Sequence, residues 1–173
     1  MLVVFLPVSR ADEGDTYIFT TIAGNSPLGG GLQRFAWPLS MAIDASDFIY
    51  VTDTDAAVVY KVTPAGEVSI LAGKYTEYQT IDGSVDTARF KSLLGVAVDG
   101  SGDVLVGDNR TIRKITPAGD VSTFTGVAGE SGITDGTLAE ARFGEITCLT
   151  FDSAGNLYAA AGQNFTIRKI TPE

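Results

Sequence analysis

Thr111-Ile112-Arg113-Lys114-Ile115-Thr116-Pro117 returns with the same residue types as Thr166-Ile167-Arg168-Lys169-Ile170-Thr171-Pro172, 55 positions later. A looser copy, Val58-Val59-Tyr60-Lys61-Val62-Thr63-Pro64, stands 53 positions before the first. The surroundings repeat too. Upstream lie Met41-Ala42-Ile43-Asp44, Val96-Ala97-Val98-Asp99 and Leu149-Thr150-Phe151-Asp152, preceded by Arg34-Phe35, Arg89-Phe90 and Arg142-Phe143. The aspartates that close the inner runs are 55 and 53 residues apart. A period of this length denotes an array of supersecondary units, and it settles architecture before local propensity does.

Within one copy the residues read as strands. Residues 39–44 form a short apolar run, expected to be a strand buried on both faces. Asp44-Ala45-Ser46-Asp47 is a turn, matched by Asp99-Gly100-Ser101-Gly102-Asp103 and Asp152-Ser153-Ala154-Gly155-Asn156. Asp, Gly, Asn and Ser recur there because they accept positive φ or bond their own backbone. Residues 48–52 form a second strand. In a third, residues 58–62, Val58, Tyr60 and Val62 share one face while Val59 and Lys61 share the other. Pro64-Ala65-Gly66 turns the chain into a fourth strand, 68–72, ending at Gly73. Four antiparallel strands per period make a propeller blade.

The fourth-strand sequence occurs three times, as Thr20-Thr21-Ile22-Ala23-Gly24, Ser69-Ile70-Leu71-Ala72-Gly73 and Ser122-Thr123-Phe124-Thr125-Gly126. Its first copy precedes every other strand. The expected order is therefore a lone fourth strand, two full blades, and a last blade lacking its fourth strand, twelve strands in all. The expected domains are an N-terminal apolar arm, 1–15, and a three-bladed domain, 16–173. Its blades run about 35–73, 90–126 and 143–172, the last completed by strand 18–24. Three blades do not close a ring, since propellers typically have 4–8. An open arc leaves two apolar faces in water, which monomers rarely tolerate. Closure as a six-bladed homodimer is the expected outcome, with Phe19, Thr21, Ile22 and Ala23 of one copy meeting Ile167 and Ile170 of the other. A stretch of a longer propeller is the alternative.

Composition removes several function classes. The net charge of −9 disfavours nucleic acid as a partner. The absence of histidine removes the usual general base and the commonest zinc ligand. The single cysteine, Cys148, forms no internal disulfide and is expected to be a buried structural thiol. No stretch approaches the ~20 apolar residues of a membrane helix. Residues 2–8 are apolar and Ser9-Arg10-Ala11 resembles a cleavage site, yet the basic start and the ~15–30 residue length of a secretory signal are missing. An extracytoplasmic address follows only if this segment is the end of such a signal. Otherwise the compartment is unknown.

The inner strand ending in Asp, Tyr50-Val51-Thr52-Asp53, and the Thr-Ile-Arg-Lys-Ile-Thr-Pro motifs resemble NHL-repeat propellers. So do the linkers from Asp82-Gly83 to Phe90 and from Asp135-Gly136 to Phe143. The resemblance runs from about residue 16 to the end. It implies a propeller whose relatives include protein- and RNA-binding domains, extracytoplasmic sensors and a metal-using lyase. This chain departs from the pattern at Ala161, where the other copies carry Asp53 and Asp108, and in lacking the loop histidine.

Propeller ligands usually meet the loops that enter the inner strand and those joining strands two and three. The candidate ligand or partner contacts are therefore Trp37, Asp53, Asp55, Arg89, Asp108, Asn109, Arg110, Gln163 and Asn164. Trp37 serves as an exposed contact or as a plug between blades. The Arg-Phe pairs are expected to be structural. Asp53, Asp55 and Asp108 supply the oxygen ligands that calcium favours, but no continuous loop motif accompanies them. No nucleophile-base pair, P-loop or Rossmann fingerprint is present. Expected function is thus a non-enzymatic scaffold presenting loops to a protein or small ligand. A calcium-assisted hydrolase or lyase on the ring axis is the alternative.

Overall fold

Short apolar strands separated by Asp- and Gly-containing turns pair most cheaply with their sequence neighbours, and every sheet here is built that way. In the computed structural model, which describes Ile18, residues 20–24 and residues 35–172, all regular structure except one short turn is β. The first sheet is the antiparallel meander β1 (Pro38–Ile43), β2 (Ile49–Asp53), β3 (Val58–Val62) and β4 (Val68–Gly73). The second repeats it as β5 (Leu93–Val98), β6 (Val104–Asp108), β7 (Thr111–Ile115) and β8 (Val121–Gly126). The third stops at β9 (Ile146–Phe151), β10 (Leu157–Ala161) and β11 (Thr166–Ile170). The sheets pack side by side through their inner strands, β1 against β5 and β5 against β9. This is part of a β-propeller.

The alternation expected in β3 holds. Val58, Tyr60 and Val62 lie in one apolar cluster with Ala23 and Phe35, while Val59 turns to another with Tyr50, Phe90 and Val106 between the first two sheets. A third cluster, with Leu105, Ile112, Phe143, Ile146 and Leu149, joins the second sheet to the third. Phe90 and Phe143, from the Arg-Phe pairs, are buried at these two seams. Burying such a side chain contributes roughly 1.5–3 kcal/mol. Neighbouring sheets also approach closely. A Cβ on Gly107 would stand 2.5 Å from the Ile146 carbonyl oxygen, and one on Gly95 would stand 2.7 Å from Cys148 Cα.

The turns behave as their residues require. Asp44 Oδ1 accepts the backbone N–H groups of Ser46 at 2.8 Å and Phe48 at 3.0 Å. Asp99 and Asp152 repeat the pattern on Ser101 and Asp103, and on Ala154 and Asn156. Burial raises the Asp44 pKa, but these N–H groups, the Tyr50 hydroxyl and Lys61 outweigh it and hold the carboxyl below its ordinary value.

Three expectations need correction. The inner strand of the first copy is not buried on both faces: Met41 is 72% exposed, although its counterparts Val96 and Leu149 are buried. Those two have a preceding sheet to pack on; Met41 has none among the described residues. Cys148 is exposed rather than buried, because it lies on the side of the third sheet that no further sheet covers among the described residues. The strands number eleven among the described residues, not twelve, since segment 20–24 has no ladder partner there. The proposed arm, 1–15, and Phe19 lie outside the described residues.

Candidate functional site

The loops joining the second and third strands of each sheet open beside the loops that enter the inner strands, and in the first two sheets a buried carboxylate ties the pair together. In the second sheet Asp108 Oδ1 accepts the backbone N–H groups of Lys91 at 2.7 Å and Ser92 at 2.8 Å. Its Oδ2 accepts from Arg113 Nη1 at 2.9 Å, with both side chains fully buried. Arg113 also reaches Asp82 at 2.5 Å and lies 5.5 Å from the Phe90 ring centre. Asp82 accepts the Thr123 hydroxyl at 3.1 Å, which fastens the linker to the outer strand β8.

The other sheets vary this clamp. Asp53 accepts N–H groups from Ala36 at 2.6 Å, Trp37 at 2.9 Å and Ala56 at 2.9 Å. Tyr60 takes the place of the arginine and meets Phe35 edge-on at 5.1 Å. Burial, with Asp53 and Tyr75 nearby, pushes the Tyr60 hydroxyl up to about 12. In the third sheet Ala161 replaces the carboxylate. Arg168 donates instead to the carbonyls of Arg142 at 2.9 Å and Thr134 at 2.8 Å, and to Asp135 at 2.5 Å.

Beside the second clamp is a cavity of about 400 Å³, bordered by Tyr78, Thr80, Lys91, Asn109, Arg110 and Gly129. Lys91 and Arg110 have no carboxylate partner among the described residues. Arg110 Nε is buried without an acceptor. The one carboxylate bordering this cavity, Asp108, is already engaged by Arg113. An otherwise acidic molecule thus carries a small cationic recess on its loop face. An unpaired buried donor costs roughly 1–3 kcal/mol.

The structure brings Asp108, Asn109 and Arg110 together at this recess and leaves the other candidates elsewhere. Trp37 is 59% exposed at the open side of the first sheet. Asp53 serves its loop clamp, and the Asp55 carbonyl accepts the Tyr78 hydroxyl at 2.7 Å. Arg89 is engaged by Glu77 at 2.6 Å and by the carbonyls of Asp86 and Ala88. This is the structural role expected of the Arg-Phe pairs. Gln163 reaches Glu145 at 3.5 Å, and Asn164 donates to the Gly132 carbonyl at 2.5 Å. Among the described residues no three His, Cys, Asp or Glu side chains converge on one point. Sequence reasoning missed Lys91. The available signal was a cation one position after Arg89-Phe90, where the other copies carry Ala36 and Gly144.

No protein-family model matches the chain, and no curated protein does. Solved structures do. The chain is similar to a protein of unknown function from Bacteroides thetaiotaomicron, with 31% identity over 71% of this chain and 32% of that one and a TM-score of 0.66. It is similar to an auxiliary nutrient binding protein from the same species, at 24% identity over 80% of this chain and 38% of that one, TM-score 0.70. An auxiliary nutrient binding protein from Bacteroides ovatus matches at 25% identity over 73% and 35%, TM-score 0.64. These neighbours are β-propeller-like, and the chain spans about a third of their length. Among the described residues no helix is long and apolar enough to cross a membrane.

Proposed function

We propose that the chain is a non-enzymatic binding module of NHL-like repeats that holds a small anionic ligand on its loop face. The observation that carries this reading is the recess where Lys91 and Arg110 stand without carboxylate partners. The similar auxiliary nutrient binding protein from Bacteroides ovatus supports a binding role in general terms. The calcium-dependent alternative has less support, because Asp53 and Asp108 are already committed to backbone N–H groups and to Arg113. A ligand that binds only the folded state raises stability by mass action. Thermal unfolding with increasing inorganic phosphate or succinate should show a rising midpoint that Arg110→Gln with Lys91→Gln abolishes. A midpoint indifferent to both anions, or a rise that survives the double substitution, overturns the reading.

The finer assembly belongs to the same proposal. Two copies would close a six-bladed ring, setting two such recesses on one face. The open sides of the first and third sheets support it, since Met41, Ile43 and Ile167 are exposed there.

A further inference from the structure

Segment 20–24 has no strand partner, yet it already occupies the position of an outer strand. A Cβ on Gly66, in the β3–β4 turn, would stand 2.4 Å from the Ile22 carbonyl oxygen. One on Gly119, in the equivalent β7–β8 turn, would stand 2.7 Å from the Leu71 carbonyl oxygen. Leu71 belongs to β4, the outer strand of the sheet that precedes β5–β8. Gly24 likewise lies against Phe35 as Gly73 lies against Phe90. Ile22 thus stands to the first sheet as Leu71 stands to the second.

Among the described residues the third sheet has three strands where the other two have four. In the second sheet Gly83 of the linker exchanges both backbone hydrogen bonds with Val121 of β8, at 2.9 and 2.7 Å. Its counterpart Gly136 makes neither among the described residues. The Asp135 side chain is 90% exposed where that of Asp82 is 50% exposed. A cavity of about 430 Å³ lies along β11, bordered by Asp135, Gly136, Ile167, Arg168 and Ile170. Unpaired strand edges of this kind bind an added strand through main-chain hydrogen bonds.

We infer that segment 20–24 of a second copy enters this slot in one register, set by the repeat. Arg113 faces Thr123 and Ile112 faces Thr125, with Phe124 bulged between them; Leu71 is bulged in the same way between Ile70 and Ala72. The transferred register sets Thr20 opposite Lys169, Thr21 opposite Arg168, Ala23 opposite Ile167 and Gly24 opposite Thr166, with Ile22 as the bulge. The Thr21 hydroxyl then donates to Asp135, as Thr123 donates to Asp82. The segment needs no rearrangement against its own first sheet, so little ordering cost attends docking. A second copy is the fitting occupant because the strand absent at one end is present, correctly seated, at the other.

This inference rests on the dimer reading, and one experiment separates them. In a Cys148→Ser background, Thr20→Cys with Lys169→Cys places two thiols opposite one another, within the 4.4–6.8 Å Cα separation that a disulfide needs. Mild oxidation should give a species of twice the chain mass on non-reducing gels. Ile22→Cys with Lys169→Cys should give little of it. Thr21→Val should weaken the dimer about a hundredfold, because the closed ring has two seams and loses one hydrogen bond, worth about tenfold, at each. Light scattering on the unmodified chain reads the assembly. A monomer at micromolar concentration overturns both readings. A dimer that links equally well out of register, or a cross-link of single-chain mass, overturns the register and leaves the dimer.

Discussion

The pentapeptide Thr-Ile-Arg-Lys-Ile forms both β7 and β11, and the two strands live in different surroundings. In β7 every side chain but the lysine is buried; in β11 none is. Ile112 is fully enclosed and Ile167 is 80% exposed. The difference shows that burial here belongs to the neighbouring sheet and the linker, as in any array whose units contact only their neighbours. Identical local sequence gives identical strands and quite different energies.

The largest expected contrast is at the arginines. Arg113→Ala leaves Asp108 buried with its charge uncompensated and should cost about 3–5 kcal/mol. Arg168→Ala removes an ion pair whose carboxylate is exposed together with bonds to the Arg142 and Thr134 carbonyls, but leaves no charge buried, and should cost about 1–3 kcal/mol. Urea unfolding of the two variants measures this; equal losses would break the comparison. Next come the isoleucines. Ile112→Ala should cost about 2–5 kcal/mol as a cavity mutation. Ile167→Ala should cost a small fraction of that in the dilute chain and approach it as concentration rises, if a strand covers β11. The ratio of the two losses therefore reports how far the open side is closed.

Smallest is the pH response. Tyr50 and Tyr60 are both pushed up to about 12, the first by burial and by its bond to Asp44. Their protons are held more tightly in the folded state, so their contribution is full below a pH of about 10 and is lost between about 10 and 12. Absorbance near 295 nm should show these two phenols ionising last, and replacing both with Phe should remove that late step. Asp44 and Asp152 lie below their ordinary values, Asp152 chiefly through the Asn156 side chain. Their contribution is present above the usual carboxylate pKa and disappears as pH falls through the lowered values.

The repeat made much of the fold legible. The reading of one copy located every strand of the first sheet to within a residue, and the alternation of Val58 to Val62 assigned its faces correctly. What it did not convey was position along the array. Met41 resembles its buried counterparts Val96 and Leu149 and differs in having no sheet beside it among the described residues, while Cys148 stands where the second sheet has Gly95, which the third sheet covers. The recess was half legible. Asp108-Asn109-Arg110 drew attention as the shortened loop, whereas Lys91 comes from a separate loop that only the Asp108 clamp brings alongside. The partnership of buried Arg113 with half-exposed Asp82 spans 31 residues, and no local pattern announces it.

The meander order of the sheets bears on how the chain acquires its shape. Each strand of a sheet pairs with its sequence neighbour, so every ladder closes over a short loop and little chain entropy opposes it. Such local pairings form on the time scale of hairpins, about 1–10 μs. Stacking one finished sheet on the next follows across the linkers. Any joining of separate chains is bimolecular, so its speed rises with the amount of protein while the earlier steps keep their pace.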